Sequence, residues 1–382
     1  MIDFAFTDEQ EQFRRALREF ASREIAPLAE PCDRSGHYPR DLFRKLGDLG
    51  YLGVAFPIES GGSGGDAVTF ALFAEELARA SAGIALGIYV HVALALSAMA
   101  AFGNDEQRRR YLAPGLRGEQ VGAWAFAEAG AGSDPGGIRT RAVRDGDAYV
   151  INGAKMFITN GTFADFVVAT VSTAPEQGMK GLSLVVIDRD TPGFRATRRI
   201  EMLGVRAAET AELVFEDCRV PVAQLLGEEN TGFAAAMHTL TRGRIMAAAF
   251  AVGLATAAYE QALAYAKTRE AFGGPIGRFQ GLAWMLADMH TAIEAARLLT
   301  YQAAWKAGRD EPHVLEASRA KLFATETCTR VTEQALQIHG GFGYAMESPL
   351  QRFYRDCKVL EIGEGTSQIQ RNTIARMLGL PA

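Results

Sequence analysis

From Thr7 to about residue 120, apolar positions recur at helical spacing. Thr7-Asp8-Glu9-Gln10 is an N-cap signal ahead of an amphipathic run ending near Pro27, with Phe13, Leu17 and Phe20 on one face. Further helical patterns cover 40–50, 67–80, 83–103 and 105–117, broken by the Gly61–Gly65 cluster and by Gly103-Asn104. Between Val121 and Pro221 the segments become short, β-rich and separated by turn residues. Segments 140–144 and 148–152 flank Asp145-Gly146, a hairpin signal. Strands are predicted over 166–171, 182–188 and 212–215, the last ended by Val220-Pro221. After a loop at 227–232, the helical period returns and predicts long helices over 231–268, 279–308 and 314–338 that pack as a bundle.

This order predicts an α+β multidomain chain: a helical unit over 1–120, a central β unit over 121–230 and a helical bundle over 231–382. It argues against a βαβ dinucleotide fold. No GxGxxG follows a strand, so a nicotinamide-type site is not indicated.

A chain of 382 residues with 48% hydrophobic content buries a sizeable core. Lys and Arg are scattered at a net charge of −5. The densest run, Arg108-Arg109-Arg110 after Asp105-Glu106, reads as a solvated helix face, so nucleic acid is not expected as a partner. Cys32, Cys218, Cys328 and Cys357 lie far apart without metal-ligand spacing and read as isolated thiols of a reducing, cytoplasmic compartment. The start, Met1-Ile2-Asp3-Phe4, lacks a signal-peptide pattern. Residues 83–102 are apolar apart from Ser97, Tyr89 and His91 and are long enough to span a bilayer. Their Ala/Gly richness, and the similar stretch at 245–259, favour a buried core helix, and no membrane span is expected.

Four clusters and one turn could carry chemistry. Ala127-Glu128-Ala129-Gly130-Ala131-Gly132-Ser133-Asp134 is a glycine-rich turn whose N–H groups could form an anion nest, or an ordinary loop. In Lys155-Met156-Phe157-Ile158-Thr159-Asn160-Gly161, Phe157 and Thr159 are two apart, which on a regular strand puts aromatic and hydroxyl on one face. Arg269-Glu270-Ala271-Phe272-Gly273, followed by Phe279-Gln280, interrupts two helices and offers either a diphosphate clamp or a surface charge. Gln337-Ile338-His339-Gly340-Gly341 is explained as a helix C-cap, and His339 receives no catalytic role. Gly363-Glu364-Gly365-Thr366-Ser367-Gln368 sets a carboxylate on a glycine-flanked turn opening into a helix, whose free N–H groups suit an anion.

The order and spacing of these motifs, with Phe215-Glu216-Asp217-Cys218-Arg219-Val220-Pro221 between them, resemble the acyl-CoA dehydrogenase family of flavoproteins from end to end. Gly243-Arg244-Ile245 and the C-terminal motif look most like the short- and medium-chain members. The resemblance implies a helical N-terminal domain, a central β-barrel-like domain and a C-terminal four-helix bundle. FAD would lie between barrel and bundle in a homotetramer. Phe126, Ala127, Gly132 and Ser133 would line the flavin, Phe157 and Ile158 would pack beside it, and Thr159 would meet its N5 edge. Arg269, Phe272 and Gln280 would reach the cofactor of a neighbouring subunit, with Gln337, Gly340 and Gly341 beside them, while Thr366 and Gln368 would meet the nucleotide half.

Glu364 falls at the family's catalytic base. It would take the α-proton of an acyl-CoA thioester, and electrons would pass to an electron-transferring flavoprotein. Some relatives carry the base at the position of Gly243, and glycine there supports Glu364. Arg244 would support the base region, or be a surface charge. Ser133, Gly243, Arg244, Gly363, Gly365 and His91 are the expected substrate contacts, with the helix around His91 flooring the acyl pocket. That helix has no arginine for a terminal carboxylate, which favours a monocarboxylic acyl chain. Three positions depart from the pattern: Ala127 where a hydroxyl is common, Phe157 for tryptophan, and Gly363 for tyrosine, the last opening the pocket. A flavin oxidase or monooxygenase, a dehydrogenase of acyl-carrier-protein thioesters and a non-catalytic flavoprotein are the competing readings.

Overall fold

The computed structural model describes residues 5–309 and 311–381, so the signal-sequence reading of residues 1–4 lies outside the described residues. The first helix, α1 (Asp8–Phe20), starts at a complete capping box. The Gln10 N–H donates to the Thr7 hydroxyl and the Thr7 N–H to the Gln10 side chain. Leu17 and Phe20 are buried, as the apolar face predicts. The chain does not stop at Pro27. It passes a π turn (Ala21–Ile25) and a 3-10 turn (Ala26–Leu28) into α2 (Ala29–Ser35), with Pro27 in a first turn where its missing N–H costs nothing.

Next come α3 (Asp41–Asp48), α4 (Ala67–Ala80) and α5 (Ala82–Tyr89). The last runs on through a π segment (Val90–Leu96) into α6 (Ser97–Phe102). Short α7 (Asp105–Gln107) and α8 (Ala113–Leu116) complete the unit. The apolar 82–102 stretch is long enough to cross a membrane by length and composition, but most of it is buried inside the protein. Its place is the centre of the helical core, as expected of a helix that is hydrophobic all round.

The β unit comprises β1 (Gly122–Ala125), β2 (Arg141–Asp145), β3 (Ala148–Ile158), β4 (Phe166–Ser172), β5 (Leu182–Asp188), β6 (Phe194–Arg199), β7 (Ala211–Pro221) and β8 (Leu225–Leu226). The strand order is β6-β7-β3-β2-β4-β5-β8, with β1 parallel to β4. Among the described residues β6 and β8 remain edges, so the sheet is not closed into a barrel. The β2–β3 hairpin turns one residue later than the sequence signal suggests: Asp145 pairs with Ala148, and the turn is Gly146-Asp147 with Gly146 at φ 65°. β1, β6 and β8 were not apparent in the sequence. β1 and β8 are very short, and β6 (FRATRR) exposes most of its charged residues.

Strand alternation divides the sheet between two cores. Trp124, Phe166, Val168, Leu184 and Val186 join the helical core, while Ala123, Ala125, Val167, Ala169, Val185 and Ile187 face the β unit's own core. A strand buried on both faces reads as an apolar run without alternation, as β4 and β5 do.

The C-terminal unit is α9 (Gly232–Thr268), α10 (Gln280–Ala307), α11 (Val314–His339), the short α12 (Gly341–Tyr344), α13 (Pro349–Ile362) and α14 (Ser367–Met377). The N-terminal helices and this bundle share one hydrophobic core. Buried Glu75 of α4 seals the join, accepting from Arg297 (3.1 Å) and the Tyr301 hydroxyl (2.7 Å) of α10. These donors satisfy a charge that could not otherwise be buried.

Candidate active site

The Glu364 turn links α13 to α14. Gly365 has φ 86°, as a glycine there suggests, but Glu364 is itself left-handed at φ 58°. Two successive left-handed residues turn both their carbonyls inward. The Gln370 amide donates to the Glu364 carbonyl (3.0 Å) and the Gly365 carbonyl (2.9 Å), and the Lys321 ammonium donates to the Gly365 carbonyl (2.7 Å). Thr366 then caps α14, accepting from the Ile369 N–H at 3.3 Å.

Glu364 as a whole is part-exposed, but its carboxylate oxygen Oε2 is buried with no hydrogen-bond partner among the described residues. Facing that oxygen is Gly243 of α9, where an added Cβ would lie 2.8 Å from it and 3.1 Å from the Tyr89 hydroxyl. Tyr89, at the end of α5, donates to the Gly243 carbonyl (3.0 Å) and lies beside the carboxylate. Burial pushes the Glu364 carboxyl up to about 7, while the Tyr89 hydroxyl, Arg244 and Lys321 pull the other way. Burial likewise draws Lys321 down to about 8 against the pull of Glu364. A buried carboxylate near neutrality, beside two cations and a hydroxyl, is equipped to take a proton.

The structure therefore brings Glu364, Gly243, Arg244 and Gly365 together. Arg244 is buried, with its Nε unpartnered among the described residues, so the surface-charge alternative is excluded. Burial lowers its pKa, opposed by Glu364. At Gly363 an added Cβ would approach only the Val359 carbonyl, at 3.4 Å, so the position is open. The His91 side chain itself, an expected substrate contact, is fully buried and bonded to backbone groups. Its Nδ1 accepts from the Gly122 N–H (2.9 Å) and its Nε2 donates to the Gly115 carbonyl (3.0 Å), fixing a neutral ring between α8 and β1. Burial drives its pKa down to about 4. Tyr89, two residues earlier, reaches the base instead.

A second set lies on the β unit. Lys155, fully buried, donates to Glu128 (2.8 Å) and to the Phe126 carbonyl (3.2 Å), and the Glu128 carboxylate also accepts from the Arg139 and Thr140 N–H groups. Burial lowers the lysine to about 8, so both partners stay charged at neutral pH. This ion pair clamps the 126–134 turn to β3. Phe157 and Thr159 do not share a strand face, because a register shift between Lys155 and Ile158 breaks the alternation. Phe157 is left-handed (φ 62°) and 55% exposed, Thr159 lies in the following turn, and the Ile158 side chain is buried in the β core. Gly132 and Ser133 are exposed, and a Cβ at Gly130 or Gly132 would meet nothing within 4 Å.

A third set surrounds an open groove of about 630 Å³, lined by Tyr265, Arg269, His339, Gly340, Gly341 and Phe342 among others. The Arg269 guanidinium sits 5.7 Å from the Phe342 ring centroid, and His339 stacks on Tyr265 at 4.2 Å, which occupies it structurally. Phe272 is left-handed (φ 52°) and 89% exposed. Gln280, Gln337 and Gln368 are exposed.

These features fit a flat, phosphate-bearing cofactor. Exposed rings are held in strained conformations, glycines leave open space for close approach, and an arginine stands at a groove. No group of three His, Cys, Asp or Glu among the described residues could hold a metal.

Three family models match in chain order: the acyl-CoA dehydrogenase N-terminal domain over residues 7–119, the middle domain over 123–218 and the C-terminal domain over 230–379. The probable acyl-CoA dehydrogenase YngJ of Bacillus subtilis is 45% identical, covering 99% of this chain and 100% of that protein. Among solved structures, butyryl-CoA dehydrogenase of Megasphaera elsdenii superposes with a TM-score of 0.96 at 38% identity, over 99% of this chain and 100% of the other. A chain in a structure of the electron transferring flavoprotein of Acidaminococcus fermentans gives 0.97 at 41% identity, over 99% of both chains. The chain belongs to the acyl-CoA dehydrogenase family and is an FAD-dependent oxidoreductase.

Proposed function

We propose that the chain oxidises an acyl-CoA thioester to its trans-2-enoyl-CoA, with Glu364 as the base that removes the α-proton. The observation that carries this reading is the unpaired, buried Oε2 of Glu364, with burial pushing the carboxyl up to about 7. An α-proton of a thioester is far less acidic than a carboxylic acid, so the base must be raised and the developing negative charge must be met. Arg244 and Lys321 supply fixed positive charge near the base, and the Glu364 N–H supplies a donor for the thioester oxygen by family likeness. Bound FAD would supply the hydride-acceptor chemistry that matches loss of the α-proton. The substrate contacts are Gly243, Arg244, Gly363 and Gly365, with Ser133 on the β unit.

In this reading Phe126, Ala127, Gly132, Ser133, Phe157 and Thr159 hold the flavin end, Ile158 contributes only its backbone, and Thr366 and Gln368 hold the nucleotide side. Arg269, Phe272, Gln280, Gln337, Gly340 and Gly341 serve the cofactor of another copy in a homotetramer. The electron acceptor is an electron-transferring flavoprotein, a partner supported by the occurrence of a chain of the same fold in that structure from Acidaminococcus.

The test is anaerobic titration of the FAD-loaded protein with acyl-CoAs of graded length and branching. Bleaching of the flavin by one set is expected, and its loss in Glu364→Gln, on the order of 10³-fold in rate, would place the base. A yellow protein that no acyl-CoA reduces would overturn the reading.

A further inference from the structure

We propose that Lys321 is a positioning residue for the base: its ammonium holds the Gly365 carbonyl and sets its charge against Glu364, so that the turn presents an ionised carboxylate to the thioester. This rests on the assignment of Glu364 as base.

A lysine on α11 with no exposed surface calls for an explanation, because such residues are almost never buried without a charged partner. Apart from Glu364, the carboxylates near it are already engaged. Glu361 of α13 accepts from Lys358 (2.7 Å) and from the Thr329 hydroxyl, and Glu326 of α11 pairs with Arg371 (2.8 Å). The Lys321 ammonium is directed instead at the Gly365 carbonyl, at 2.7 Å.

That carbonyl is half of an unusual pair. Left-handed geometry at a non-glycine residue is strained and persists only where its surroundings enforce it. At Glu364 the enforcing groups are the Gln370 amide, shared between both carbonyls, and the Lys321 ammonium on the second. Gln370 is itself fully buried. Removing the ammonium leaves one neutral donor to hold two carbonyls, which frees the Glu364 peptide to relax and swing the carboxylate out of line. Among the described residues it also leaves Arg244 as the one cation acting on Glu364. The groups facing this centre are Tyr89 from α5, Arg244 from α9, Lys321 and Glu326 from α11, and Glu361 from α13.

The test uses FAD-loaded Lys321→Met, which keeps the apolar stem and removes the charge. Anaerobic flavin reduction by butyryl-CoA is followed against pH, beside the dissociation constant of butyryl-CoA, FAD content and melting temperature. We expect a reduction rate lower by about 10- to 100-fold, little change in the dissociation constant, and an acid limb displaced upward by about one pH unit. Lys321→Gln, which keeps a donor for the Gly365 carbonyl without the charge, should recover much of the rate but leave the limb displaced. It carries the same test if the methionine variant does not fold. A wild-type rate and limb in either variant overturns the proposal. So does loss of FAD and of melting temperature without displacement of the limb, which is what a packing role alone gives. Glu364→Gln in the same assay separates the two claims: if it reduces at the wild-type rate, the base assignment has failed, whatever Lys321 does.

Discussion

The two ends of α11 are built on opposite terms. Near Lys321 the helix backs a closed centre in which the buried oxygen, hydroxyl and cations all come from this one chain. At His339 it ends in an open groove flanked by exposed aromatic rings, with Phe342 65% exposed. Eighteen residues of α-helix separate them, about 27 Å. The proposed proton-transfer centre is thus drawn from α5, α9, α11 and the Glu364 turn, while the groove at the other end is open. The motif order in the sequence hides this, because Arg269 and Glu364 appear there as members of one series.

Glu364→Gln and Arg269→Ala break the comparison most sharply. The first should lower flavin reduction by roughly 10³-fold while leaving FAD bound. The second should weaken FAD retention and subunit association by about tenfold or more, as loss of a charged phosphate contact does, and leave the pH profile of the loaded enzyme unchanged. FAD content after gel filtration and single-turnover reduction read the two effects separately. If Arg269→Ala moved the acid limb, the two ends would not be independent.

Next in size is the pH dependence. With Glu364 at about 7, the reactive carboxylate is lost as pH falls through neutrality, and the reduction rate should drop tenfold per unit below that value. Gly243→Ala would sharpen this. Its Cβ would lie 2.8 Å from Oε2, so the carboxylate must shift, and a decrease of about tenfold in rate is expected with little loss of melting temperature. Stopped-flow reduction across pH 5.5–8.5 checks both.

How much of this was legible in the sequence depends on whether a feature is local. The Thr7 capping box, the β2–β3 hairpin and the glycine after Glu364 are local signals, and the structure carries all three with at most a one-residue offset. Tyr89 and Lys321 were illegible because each sits at an ordinary buried position of a helix and acquires its role only from a residue far along the chain. Phe157 was misplaced for a related reason: a bulge depends on the partner strand, and period-two reasoning assumes none. Lys155 stood in a quoted motif without a role, and its pairing with Glu128 across 27 positions supplies one.

His91 gives the smallest effect and tests the boundary between site and scaffold. It sits two residues from Tyr89, yet both its ring nitrogens serve backbone groups and Phe43 packs edge-on to it at 5.2 Å. Its pKa is about 4 folded against an ordinary 6.5, so the unfolded chain binds the extra proton first. The neutral ring's contribution is complete above pH 6.5 and is lost as pH falls from there through 4, to the extent of about 3 kcal/mol. Urea midpoints between pH 7 and pH 4.5 should show this decline. In His91→Gln, which has no proton to gain in that window, the slope should flatten. Reduction by acyl-CoA at neutral pH should change little in that variant. A large change there would mean that the ring shapes the acyl pocket after all, through the helix that carries Tyr89.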